Sequence, residues 1–118
     1  MKLLVVDDSD VMRRTIERSV IGPDDLLQTA SNGIEALEIA RDFDPDAVTM
    51  DLSMPEMDGL ACIAQLLRIR PAARILVVSA LKDRPTAVEA IRLGAQAFLL
   101  KPFSAEALAA EIRELFVA

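Results

Sequence analysis

Ala47-Val48-Thr49-Met50-Asp51 decides how the rest of the chain reads. Four residues suited to a buried strand run straight into a carboxylate, and Leu52-Ser53-Met54-Pro55-Glu56-Met57-Asp58-Gly59 follows. Pro55 restricts Met54 to extended backbone, and Asp58-Gly59 supplies a turn and a helix start. Working outward, four further runs have the same character: Leu3 to Asp7, Leu26 to Ala30, Arg74 to Ser79 and Gln96 to Leu100. Most are apolar without strict alternation, which is the pattern of strands buried on both faces.

The segments between these runs carry helical signals. Asn32 with Glu35 three residues later predicts a capping box, after which Ala36, Leu37, Ala40 and Phe43 line one face. Pro85 suits the first turn of a fourth helix. Ser104 caps a fifth, where Ala105, Leu108, Ile112, Leu115 and Phe116 recur at helical spacing. Five strand–helix units predict an α/β fold of the flavodoxin-like (βα)5 type. Its parallel sheet has helices on both faces, right-handed crossovers and strand order 2-1-3-4-5. With 118 residues, the expectation is a single domain over 1–118.

Composition narrows the function classes. A 53% hydrophobic chain with 27% charged residues builds a sizeable core. No apolar stretch approaches the roughly 20 residues that span a bilayer, and Met1 to Val6 runs into Asp7-Asp8 too soon for a signal peptide. The expectation is a cytoplasmic protein without membrane attachment. The net charge of −6, with 13 basic against 19 acidic residues, argues against direct nucleic-acid binding. Cys62 is the single cysteine and reads as core filler. The chain has no histidine, which excludes Ser-His-Asp and Cys-His catalysis and argues against a transition-metal site.

In a doubly wound sheet, function sits beyond the carboxyl ends of the strands, near the point where strand order reverses. There the first run ends in Asp7-Asp8, the third in Asp51, the fourth in Ser79, and Lys101-Pro102 follows the fifth. Isolated aspartates at such ends commonly cap helices, but the whole set on neighbouring strands calls for another account. Three carboxylates crowded into a cleft disfavour their own ionisation. With one ammonium beside them the set carries −2, which one divalent cation cancels. Oxygen-only ligands point to Mg²⁺, with Mn²⁺ as a substitute. A carboxylate next to such a cation and a lysine suits phosphoryl transfer, with the carboxylate as nucleophile.

Four ordered motifs then carry a resemblance over essentially the whole chain: Leu4-Val5-Val6-Asp7-Asp8, Val48 to Gly59, Val77-Val78-Ser79-Ala80 and Lys101-Pro102-Phe103. Together they resemble the receiver domains of two-component response regulators, and among these the stand-alone chemotaxis regulators of the CheY type. The resemblance implies that Asp51 is the phosphoacceptor. It places Mg²⁺ on Asp7, Asp8, the Asp51 carboxylate and the Ser53 backbone carbonyl. Lys101 would pair with the phosphoryl oxygens, and Ser79 would bond to the phosphoryl group and carry the switch. Phe98 would follow by rotating inward, and Lys101-Pro102 would be a cis peptide. The chain would be a non-turnover signalling switch rather than an enzyme, limited to its own phosphorylation and dephosphorylation.

The implied donor is a histidine kinase or its phosphotransfer domain, since this chain has no histidine, and a phosphatase is a possible second partner. Output would pass through the fourth helix, fifth strand and fifth helix, presenting Glu89, Arg92, Gln96, Ala107, Ala109 and Ala110, to a partner such as the flagellar motor switch. Arg13, Arg14 and Arg18 would give the first helix a basic face towards the kinase or phosphatase.

Ser79 stands where threonine is frequent and Phe98 where tyrosine is frequent, the second without a hydroxyl to offer. Ser53 and Leu81 border the expected path of attacking water. Three rival readings remain. A phosphatase with an aspartate nucleophile would want a second acid where Ser53 stands. A flavodoxin-like electron carrier would want an aromatic residue to stack a flavin, and the chain has neither tryptophan nor tyrosine. The chain could also be the receiver half of a transcription factor or methylesterase.

Overall fold

The five apolar runs form five parallel strands, and the segments between them five helices. In the computed structural model, which describes residues 1–20, 22–52, 59–80 and 84–116, the strands are β1 (Lys2–Val6), β2 (Leu26–Ala30), β3 (Ala47–Asp51), β4 (Arg74–Ser79) and β5 (Ala97–Leu100). The helices are α1 (Asp10–Val20), α2 (Gly33–Phe43), α3 (Gly59–Ile69), α4 (Arg84–Leu93) and α5 (Ala105–Glu114). The strand order is β2-β1-β3-β4-β5, as the alternation of runs and helices predicts. β1 pairs with both β2 and β3, so the order reverses beside it.

Alternation along each strand divides the core between the two faces of the sheet. Leu4, Val6, Val48, Met50, Ile75 and Val77 pack against α2, α3 and α4 through Ala36, Ala40, Ile63, Leu66 and Ala90. On the opposite face, Leu3, Val5, Ala47 and Leu76 meet Ile16 of α1 and Leu108 and Ile112 of α5. Every residue of β3 is buried, in keeping with its central place. Burying each large apolar side chain contributes about 1.5–3 kcal/mol, so these two layers supply most of the driving force for folding. Cys62 is fully buried, as core filler should be.

The helix signals hold with local corrections. Asn32 Oδ1 accepts from the Glu35 amide at 2.9 Å, but the Glu35 carboxylate reaches Ser31 rather than closing a box on Asn32. Ser31 offers both an amide and a hydroxyl, a better partner than one amide alone. Ser104 Oγ accepts from Ala107 at 3.0 Å and caps α5. Phe116, expected on the buried face of α5, lies past the helix end, is 43% exposed and sits under the Arg74 guanidinium. Phe43 is only half-buried, facing a shallow cleft with Gln28, Glu38, Ile39 and Asp42.

Candidate functional site

The carboxyl ends of β1, β3 and β5 bring one group of ionisable residues together. Asp7 continues the β1 alternation of Leu3 and Val5, and Asp51 that of Ala47 and Thr49, so both side chains rise on the α1–α5 face. Lys101 follows Ala97 and Leu99 in the same way. One carboxylate oxygen from each of Asp7, Asp8 and Asp51 lies within 4.8 Å of the others. The Lys101 ammonium stands 3.6 Å from Asp7 Oδ2 and 3.7 Å from Asp51 Oδ1. Asp7 and Asp51 are buried, Asp8 is exposed and Lys101 is partly exposed. The cleft therefore opens to solvent on the Asp8 side.

Burial is the main reason the Asp7 carboxyl is pushed above its ordinary value. The Ser9 amide, 2.9 Å from Asp7 Oδ1, opposes the shift by stabilising the anion. Asp51 raises it, Lys101 lowers it and Asp8 raises it, in falling order of influence. The net direction means that burial and the neighbouring carboxylates together outweigh the amide and the ammonium.

This donor set fits a small hard cation. Oxygens bound to one octahedral Mg²⁺ at 2.0–2.1 Å lie about 2.9 Å apart when adjacent and about 4.2 Å apart when opposite, so a cluster held within 4.8 Å needs to contract by at most about 2 Å. The set holds no nitrogen or sulfur donor that would favour zinc or copper. The Ser53 carbonyl falls outside the described residues, as does Leu81.

Ser79 ends β4. It is buried, and its Oγ donates to the Ala80 carbonyl at 3.1 Å. Its own carbonyl accepts from the Lys101 amide at 2.7 Å, tying the ends of β4 and β5 together. Phe98 pairs in register with Val77 on the opposite face of the sheet from Asp51 and is 37% exposed. The Lys101-Pro102 peptide is cis.

Four supporting residues escaped the sequence reading or were read otherwise. Ser9 caps α1, its Oγ accepting from Met12 at 3.2 Å, while its amide holds Asp7. A serine directly before a helical segment was the available signal. Arg13, expected on an outward basic face, instead folds back and donates from Nη1 to the Asp7 carbonyl at 2.6 Å. Gly59 begins α3 because of a close approach: a Cβ there would stand 2.9 Å from Leu52 Cα and 3.0 Å from the Asp51 carbonyl oxygen. Gln96, expected on the output surface, directs Oε1 to the Ile75 amide at 2.6 Å. On that surface Val88, Ile91 and Phe98 are exposed. Among the described residues no helix is long and apolar enough to cross a membrane.

Comparison with known proteins gives a consistent answer. The family model described as the response regulator receiver domain matches residues 3–113. The chemotaxis protein CheY of Listeria monocytogenes is 41% identical over 107 residues, covering 90% of each chain. The response regulator domain of Thermotoga maritima CheB superposes with a TM-score of 0.86 at 32% identity, covering 100% of this chain and 98% of that one. CheY in the CheX–CheY–BeF3–Mg²⁺ complex of Borrelia burgdorferi gives 0.88 at 27% identity, covering 100% and 90%.

Proposed function

This chain belongs to the response regulator receiver domains, and on that premise we propose that it is a phosphorylation switch whose acceptor is Asp51. The observation that carries the reading is the triad Asp7, Asp8 and Asp51, gathered within 4.8 Å beside the Lys101 ammonium. An Asp51 carboxylate oxygen attacks the phosphorus of a phosphohistidine on a histidine kinase or its phosphotransfer domain. The new P–O bond forms as the P–N bond breaks, and the departing imidazole takes a proton. The product is an acyl phosphate on Asp51.

Asp7, Asp8 and Asp51 would hold Mg²⁺, with the Ser53 carbonyl as the further ligand the family resemblance implies and Mn²⁺ as a substitute. When bound, the cation neutralises charge on the transferring oxygens. Support for Mg²⁺ comes from the oxygen-only donor set and from the Mg²⁺ in the Borrelia CheY complex. Lys101, already beside Asp51, would pair with the phosphoryl oxygens. Ser79 then exchanges its bond to Ala80 for one to the phosphoryl group, and Phe98 turns inward from its half-exposed position. This shift presents the α4–β5–α5 surface to an output partner such as the flagellar motor switch. The reading is of a cytoplasmic, non-turnover switch spanning residues 1–118 that binds neither nucleic acid nor membrane, with a phosphatase as an additional partner.

Incubation with acetyl phosphate and Mg²⁺, followed by intact mass measurement, tests the central step. One phosphoryl adduct is expected, absent in Asp51→Asn and absent without divalent metal. An unmodified parent, under conditions that modify another receiver, refutes it.

A further inference from the structure

Asp7 is held at four points, and each fixes something different. Its amide donates to the Ala30 carbonyl at 3.1 Å, continuing the strand. Its Oδ1 accepts from Ser9 and its Oδ2 faces Lys101, which orient the carboxylate. The fourth contact is the Arg13 guanidinium, whose Nη1 meets the Asp7 carbonyl oxygen at 2.6 Å. That carbonyl belongs to the peptide plane joining Asp7 to Asp8. Its orientation therefore sets where the exposed Asp8 side chain leaves the backbone.

The Arg13 side chain is only 18% exposed, unlike a residue on a solvated basic face. Its Nη2 pairs with Asp10 in the first turn of α1, and its own amide donates to the Ser9 carbonyl at 3.0 Å. The planar guanidinium thus clasps the strand end and the helix start with separate nitrogens. A lysine has no such fork.

We infer that Arg13 is a positioning residue of the metal site, holding the Asp7–Asp8 peptide so that both carboxylates face Asp51. This inference rests on the Mg²⁺ reading given under the proposed function. It differs in sign from a purely electrostatic role. A guanidinium acting only through its charge repels a nearby cation, so its removal would tighten Mg²⁺ binding. A guanidinium that orients ligands helps binding, so its removal weakens it. Groups that orient metal ligands typically contribute 10- to 100-fold in affinity.

The test is Mg²⁺ titration by calorimetry of the whole chain and of Arg13→Ala, Arg13→Lys and Asp10→Asn. The Mg²⁺ dependence of acetyl phosphate modification and the melting temperature in chelator are measured alongside. Arg13→Ala is expected to bind Mg²⁺ about 10-fold more weakly, and to need correspondingly more Mg²⁺ for half-maximal modification. It should still reach the parent's plateau, since no group touching the phosphoryl is lost. Arg13→Lys should fall between the two. Asp10→Asn, which loses the ion pair but keeps the carbonyl contact, should stay within about twofold of the parent on the same scale.

Equal or tighter Mg²⁺ binding in Arg13→Ala overturns the inference. So does a lowered melting temperature with unchanged Mg²⁺ dependence, which marks a merely structural role. Should Arg13→Ala fail to fold by circular dichroism, Arg13→Lys decides: weakened binding supports the inference and unchanged binding overturns it. A parent chain that binds no Mg²⁺ refutes the metal reading itself, and the inference falls with it. A parent that binds beside an indifferent Arg13→Ala refutes only the role of Arg13.

Discussion

Replacing Asp7 by asparagine is expected to stabilise the metal-free protein, although it removes a residue from the heart of the site. Asp7 and Asp51 oxygens within 4.8 Å repel by at least about 3.5 kcal/mol at an effective dielectric of 20. The exposed Asp8 adds about 1 kcal/mol at near-water screening. Lys101 at 3.6 Å returns about 4.6 kcal/mol of attraction on the same scale. These terms nearly cancel. What remains is the cost of holding a carboxylate out of water, several kcal/mol before compensation, against about 1.5–3 kcal/mol from the charge-assisted Ser9 bond. The asparagine side chain keeps an acceptor for Ser9 and sheds the buried charge. A gain of about 1–2 kcal/mol follows, or a rise of about 4–8 °C in melting temperature for a chain of this length.

The pH dependence provides the control. The folded carboxyl titrates above its ordinary value of 3.8, so the folded state holds the Asp7 proton more tightly than the unfolded chain does. Between 3.8 and the raised value, stability therefore falls as pH rises. The advantage of Asp7→Asn should be larger at pH 7 than at pH 3. Saturating Mg²⁺ should reverse the order, because ligand at a hundredfold its Kd adds about 2.7 kcal/mol to the parent alone. Calorimetry at pH 3 and 7, in chelator and in Mg²⁺, measures all of this. An Asp7→Asn protein melting at or below the parent in chelator at pH 7 would refute the reasoning.

Three other substitutions probe the surroundings. Lys101→Met removes the cation between two buried carboxylates and should cost the metal-free protein about 1–3 kcal/mol at pH 7, a loss that shrinks on acidification as Asp7 protonates. Urea titrations at both pH values check it, and a pH-independent loss points to packing instead. Gly59→Ala forces a methyl against the backbone of Leu52 and Asp51 and should cost about 1–3 kcal/mol while slowing acetyl phosphate modification; a neutral result means that α3 can shift freely. Thr49→Val, which deletes a buried hydroxyl that has no hydrogen-bond partner among the described residues, should be neutral or stabilising by up to about 1–2 kcal/mol in thermal melts. A clear loss there would reveal a partner for the hydroxyl.

Strand positions and order were legible because buried parallel strands need unbroken apolar runs, and these runs end in residues of a different kind. The end of the first strand shifts by one residue, since Asp7 uses its carbonyl for Arg13 rather than for a neighbouring strand. Asp7, Asp8, Asp51 and Lys101 were legible as a cluster because topology alone puts their strand ends side by side. Arg13 was not. Helical periodicity assigns a side chain to a face, but a guanidinium is long enough to leave that face for an orphan carbonyl one turn away. Phe116 failed for a related reason: its spacing continues the α5 pattern, but the helix ends at Glu114 and Phe116 is left exposed beneath Arg74. Gly59 read as a turn signal because close backbone approach leaves no mark in sequence beyond the glycine itself.

The sheet separates the chemistry from the proposed readout, and this bears on how large the switch must be. Asp7, Asp51 and Lys101 rise on the α1–α5 side, whereas Phe98 pairs with Val77 on the α4 side. Ser79 links to Lys101 through its backbone, its carbonyl holding the Lys101 amide while its hydroxyl donates to Ala80. Under the proposed mechanism, recruiting that hydroxyl to a phosphoryl oxygen gives up a neutral bond of about 1 kcal/mol for a charge-assisted one of about 1.5–3 kcal/mol. The gain of about 1–2 kcal/mol amounts to roughly a tenfold shift in population. Burying the exposed third of the Phe98 ring adds about 1 kcal/mol more. Neither step alone turns a minor state into the dominant one, but together they suffice for a modest initial bias. Ser79→Ala should therefore still accept the phosphoryl group on Asp51 while losing most of the shift at Phe98. ¹⁹F NMR of a fluorophenylalanine-labelled chain reads that shift directly, and a full response in Ser79→Ala would rule out Ser79 as the link.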